Sequence, residues 1–189
     1  FIGRMVNERM NMVEISNAIA TMPADADPVE LELLTKQAMD EAIHFRLVKE
    51  VIEHIQGSPV DVEAAIAAEA AKPTAKGAGL LAKYGAENDP VALAAYQLVA
   101  EGRAEAVWNQ MADCIEDAFI SKAYAKIAKD EGFHSNIGAR KLEQLVTDAE
   151  TAAKVETLVS AMRKDLYDIS CKNTVPAEAG KQLVADAYG

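Results

Sequence analysis

Apolar residues recur every three or four positions through most of this chain, the period of amphipathic helices. Phe1, Met5, Met12, Ile15 and Ile19 share one stripe, which predicts a first helix over about residues 1–20. Asp27-Pro28 then supplies an N-cap followed by proline at the first helical position. A second helix is expected from residue 28 to about 56, where Gly57-Ser58-Pro59 stops it. Its inner face carries Leu34, Glu41, His44, Val48, Ile52 and Ile55. Asp89-Pro90 repeats the start signal for a third helix over about 90–115, with Ala94, Leu98, Glu101, Trp108, Ala112 and Ile115 on one side. A fourth, over about 120–146, aligns Ile120, Tyr124, Ile127, Glu131, His134, Gly138, Leu142 and Leu145. The stretch 113–119 has neither glycine nor proline, so any turn before this helix must be tight.

Two further regions complete the pattern. Residues 58–89 form a long link. Asp61 caps an Ala-rich helix, Val62 to Lys72, which Pro73 ends, and Ala75-Lys76-Gly77-Ala78-Gly79 follows. No Gly-Lys-Ser/Thr follows a strand there, so the glycines are not a phosphate loop, and the link is expected to be a crossover between the helix pairs. After Asp148 an accessory helix is expected over about 148–170, with Val155, Leu158, Met162 and Leu166 apolar. The tail from Pro176 can form one more short helix. The expected fold is all-α, a four-helix bundle with a long crossover and additional C-terminal helices, in a single domain over 1–189.

Charged residues inside the apolar stripes change the picture. Asp40-Glu41-Ala42-Ile43-His44 and Asp130-Glu131-Gly132-Phe133-His134 repeat one pattern, Asp-Glu-x-x-His, in the two halves of the chain. Glu and His three residues apart project from the same helix face, where a carboxylate oxygen and an imidazole nitrogen can bind one metal ion. Two such helices, with a glutamate from each of two more, make a dinuclear carboxylate site. Glu8 lies within the first helix's stripe, whereas Glu14 falls about 180° from Met5, so Glu8 is the candidate and Glu14 is expected to face solvent. On the third helix Glu101 sits near the stripe's centre and Glu105 about 40° away; Glu101 is preferred. A metal-bound histidine usually donates its second N–H to a carboxylate, a role Asp130 can play for His44 and Asp40 for His134. Both the metal and the catalytic site are therefore expected at Glu8, Glu41, His44, Glu101, Glu131 and His134. His54, with no glutamate three residues before it, reads as a surface histidine.

Composition narrows the alternatives. Half of the 189 residues are hydrophobic but only 5% are aromatic, which favours helices over a sheet. The formal net charge of −11, without a basic run, argues against nucleic-acid or anionic-membrane partners. Cys114 and Cys171 are far apart and have no metal spacing; two reduced thiols and a cytoplasmic location are expected.

The order Glu8, Glu41/His44, Glu101, Glu131/His134 resembles the ferritin-like di-iron carboxylate superfamily, an order that bacterioferritins and rubrerythrins share. The Asp before each motif glutamate is similar to the bacterial multicomponent monooxygenases. Asp40 to His44, Lys126 to His134 with Gly138 after it, and Glu101-Gly102 look most like the catalytic subunits of phenylacetyl-CoA ring epoxidases. The resemblance covers roughly residues 1–146. It implies a ferritin-like bundle holding two Fe ions, with Mn or a mixed Mn/Fe pair as the alternative, and a di-iron oxidase or oxygenase that uses O2 on a small organic substrate. Glu41 and Glu131 would bridge or chelate, and Glu8 and Glu101 would be terminal. An electron-donor reductase and a homodimer or hetero-oligomer are the implied partners. Iron storage with ferroxidase activity, or a manganese catalase-like centre, are the competing functions.

Overall fold

The computed structural model describes residues 1–72, 83–86, 89–174 and 176–188, and every regular element among them is helical. In chain order these are α1 (Ile2–Thr21), α2 (Pro28–Gln56), α3 (Val62–Ala70), α4 (Pro90–Tyr96), a π-helical segment (Gln97–Glu101), α5 (Gly102–Cys114), α6 (Ala118–Leu145), α7 (Ala149–Thr174) and α8 (Ala177–Tyr188). None of the described helices is long and apolar enough to cross a membrane. The glycines at 77 and 79 lie outside the described residues.

Aspartates set most of the helix starts. The Asp27 carboxylate accepts from the amide of Val29, Asp61 from Ala64, Asp89 from Val91 and Ala92, and Asp148 from Thr151. Each satisfies amides that have no partner inside the helix. The tight turn expected between residues 113 and 119 is made by a fifth: Asp117 accepts from Phe119 and Ile120 at 2.9 and 3.1 Å, so α6 begins at Ala118. Gly57 ends α2 at φ 68°, the left-handed conformation that costs glycine little.

The third helix departs from expectation. Instead of one uninterrupted helix over 90–115, α4 passes into the π-helical segment and continues as α5. The wider π turn is stabilised by tertiary contacts from α6: the Ser135 hydroxyl donates to the Leu98 carbonyl at 3.1 Å, and Gly138 lies flat against the backbone of Ala94 and Leu98. Ile55, expected on the inner face of α2, is exposed because the last turn of the helix runs past the core.

Contacts along the chain group into two compact units, one joining Phe1–Lys72 with Glu105–Asp130, the other joining Pro73–Ala104 with Glu131–Gly189. In the first unit α1 packs along α2 and touches α3. Met5, Val48, Val51 and Ile127 are fully buried there, each stabilising the fold by roughly 1.5–3 kcal/mol. Trp108 stacks on Tyr124 with ring centroids 4.8 Å apart, and the Arg4 guanidinium covers the indole at 4.6 Å. In the second unit Ala95, Val99, Met162 and Leu166 form a core that Tyr84, Tyr96 and Leu158 extend. Lys83 and the Tyr84 hydroxyl both bond the Asp165 carboxylate.

Candidate metal centre

Ionisable groups are costly to bury unless something compensates them. Yet the buried polar residues described are mostly the candidate set, Glu8, Glu41, His44, Glu101, Glu131 and His134, together with Asp40 and Asp130; Gln37, Glu69 and Gln97 make up the rest. The apolar stripes that bury Met5, Val48 and Ile127 carry these groups inward with them.

In the first unit, α1 presents Glu8 and α2 presents Glu41 and His44. Their ligand atoms lie within 4.8 Å of one another. His44 Nδ1 is 3.6 Å from Glu8 Oε2 and 3.7 Å from Glu41 Oε2. The other ring nitrogen, Nε2, is 3.1 Å from Asp130 Oδ2. Burial tends to raise Asp130, but the Lys126 ammonium and the His44 ring outweigh it and hold the carboxyl below its usual range. Asp130 is therefore an acceptor. Nε2 carries the proton, and the Nδ1 lone pair faces Glu8 and Glu41. This is the Asp130–His44 pairing expected from the repeated motif, and it presents the nitrogen that a metal needs.

Glu8 shows what this arrangement costs without a cation. Burial pushes its carboxyl up to about 7; His44 opposes the rise and the Glu41 carboxylate adds to it. Its buried Oε2 accepts no hydrogen bond among the described residues. The chemistry of the set, three oxygen or nitrogen donors converging in a dry interior, fits a hard or borderline divalent ion.

The second unit repeats the composition. Glu101, at the end of the π-helical segment, and Glu131 and His134 on α6 bring ligand atoms within 4.8 Å of one another. His134 Nδ1 is 3.3 Å from Glu131 Oε2. Glu105 is half-buried and stands outside this group. Glu14 differs from expectation: it is half-buried, with Oε2 shut away from solvent, not on an open face. His54 is a surface residue bonded to Asp117 at 2.9 Å. Tyr124 is buried beside Trp108, its hydroxyl finds no hydrogen-bond partner among the described residues, and burial pushes it up to about 12. Cys114 is exposed and Cys171 buried, both as free thiols.

Sequence reasoning missed two supports. Ser135 and Gly138, which hold the π-helical segment, carry no local signal. Lys36 and Lys126, which pair with Asp40 and Asp130, do carry one, because each stands four residues before its aspartate. Comparison with known proteins finds no family model, curated protein or solved structure that matches this chain.

The raised Glu8 makes a testable difference in the metal-free protein. The carboxyl titrates at 4.5 in the unfolded chain and at about 7 in the fold. The folded state therefore holds the proton more tightly, and stability that is complete below pH 4.5 is lost as pH rises through 7. Glu8→Gln removes this dependence. Metal-free Glu8→Gln should be more stable than the wild type at pH 8, by up to roughly 3 kcal/mol, with a higher melting temperature there and nearly the same one at pH 4.5. Equal melting temperatures at pH 8 would show that the buried carboxylate carries no such penalty.

Proposed function

We propose that each triad holds a transition-metal ion, and that the protein is an oxidoreductase using O2 to oxidise a small organic molecule. The observation that carries this reading is the repetition. Each triad takes a glutamate from one helix and a Glu-x-x-His pair from another, Glu8 with Glu41/His44 and Glu101 with Glu131/His134. Asp130, which holds His44, and Glu131, which meets His134, are consecutive residues of the continuous helix α6. The expected resemblance to di-iron carboxylate proteins supports the same reading.

The roles follow from the donor atoms. Glu8, Glu41 and His44 would hold one ion, and Glu101, Glu131 and His134 the other. The two carboxylates of each triad would offset the charge of a divalent ion and leave each buried site near neutral. Asp130 fixes the His44 tautomer. Metal ions bound there would supply the electron transfer that O2 reduction needs. The burial of Glu41, His44, Glu131 and His134 keeps bulk water from the reacting atoms. Electrons would come from a separate reductase.

Metal analysis after anaerobic Fe(II) loading tests this. The expected result is about two ions per chain, with continuing O2 consumption, beyond a single stoichiometric oxidation of the iron, only when an electron donor and an oxidisable organic substrate are both present. Manganese at the same stoichiometry, with peroxide disproportionation, would replace the O2 reading with a catalase. Failure to take up any metal would overturn both.

A further inference from the structure

The repeat extends beyond the ligands. Lys36-Gln37-Ala38-Met39-Asp40-Glu41-Ala42-Ile43-His44 and Lys126-Ile127-Ala128-Lys129-Asp130-Glu131-Gly132-Phe133-His134 share lysine, alanine, aspartate, glutamate and histidine at the same places. Metal ligation by Glu-x-x-His does not require the lysine. In both copies it bonds the aspartate four residues on. The lysine side chains are 43% and 47% exposed, whereas their aspartates are buried. Around Asp130 the chain of contacts continues inward: Oδ2, the oxygen bonded by Lys126, is also the oxygen 3.1 Å from His44 Nε2.

An ordinary lysine–aspartate pair on a helix surface contributes little. This one differs because its acceptor is buried and shared with a fully buried imidazole. We infer that Lys126 is a positioning residue for the metal bound at His44, acting through Asp130. The inference rests on the metal reading above. Lys126 fixes the orientation of the Asp130 carboxylate, and so the direction in which the ring presents Nδ1 to Glu8 and Glu41.

Three variants test this: Lys126→Gln, Lys126→Arg as the conservative rescue, and Lys122→Gln as the control. Lys122 is exposed on the same helix, and its replacement makes the same change in charge. Nitrogen-15 NMR of the histidine rings in metal-free protein reads His44 directly, and Fe(II) titration reads affinity. Lys126→Gln should move the His44 ring resonances away from the pattern of a single Nε2–H tautomer. It should weaken Fe(II) binding about tenfold. Lys126→Arg should restore both signals, and Lys122→Gln should alter neither. If Lys126→Gln behaves as Lys122→Gln does, the lysine is a surface pair and the inference is overturned. Wild-type protein that binds no Fe(II) would overturn the metal reading and this role with it, whatever the ring resonances show.

Discussion

Glu41→Gln should cost the protein its metal while leaving its helices intact. Glu41 is fully buried on α2, with Oε2 3.7 Å from His44 Nδ1. The substitution keeps the shape of the side chain but removes its charge and turns one oxygen into a donor. An amide cannot serve as an anionic ligand. Changes one step further from a metal already cost about 10- to 100-fold in affinity, so the loss here should exceed roughly 100-fold. Glu41→Ala should lose the metal too, and in addition leave a cavity in the core, with a destabilisation on the order of 2–4 kcal/mol. His134→Ala should behave like Glu41→Ala. Metal content per chain and thermal melts separate the two effects. Full metal occupancy in Glu41→Gln would remove Glu41 from the ligand set.

Gly138→Ala should be the most damaging single-methyl change in the second unit. A Cβ at this position would lie 2.5 Å from the Ala94 carbonyl oxygen, 2.6 Å from the Leu98 amide nitrogen and 2.9 Å from Gln97 Cβ. Two of the three are backbone atoms, which cannot rotate aside. Relief requires α6 and the π-helical segment to separate, at a cost of about 1–3 kcal/mol or more. That outweighs the gain of about 1 kcal/mol from replacing glycine by alanine within a helix. A net cost of roughly 1–2 kcal/mol lowers the melting temperature by about 2–8 °C for a domain of this size. Gly102→Ala makes the contrast. Its Cβ would meet the Ser135 hydroxyl at 3.0 Å, the end of a small side chain that can turn away. The lost hydrogen bond and the improved propensity nearly cancel, so little change is expected. Similar melting temperatures for the two variants would mean that the contact at Gly138 relaxes easily.

These two sites mark the limits of what the sequence discloses. Helix starts at Asp27, Asp61, Asp89 and Asp148 were legible because each is a local signal, an aspartate just ahead of the amides it caps. Asp117 gives the same signal, but without glycine or proline nearby the break stayed unlocated. Glu8 and Glu101 stood out as charges inside apolar stripes, and the His44–Asp130 contact followed from the repeated motif. The π-helical segment was not legible. Its support comes from Ser135 and Gly138, far along the chain, and periodicity measured within a segment cannot register such contacts. Glu14 was misplaced for a related reason: a helical wheel gives the direction of a side chain, not what covers it.

The first unit is interrupted in the chain: Phe1–Lys72 is completed only by Glu105–Asp130. A ribosome delivers these pieces in order, at roughly 5–20 residues per second. The whole Pro73–Ala104 stretch is therefore made before Trp108 and Tyr124 become available to pack against Arg4 and Phe1. During that interval α1 and α2 can form and pair, but with apolar surface still open to the cell. His44 meanwhile has no Asp130 to hold its ring. The polypeptide must pass through a state in which the carboxylates of α1 and α2 are present before their supports exist, a window in which aggregation competes with completion of the fold.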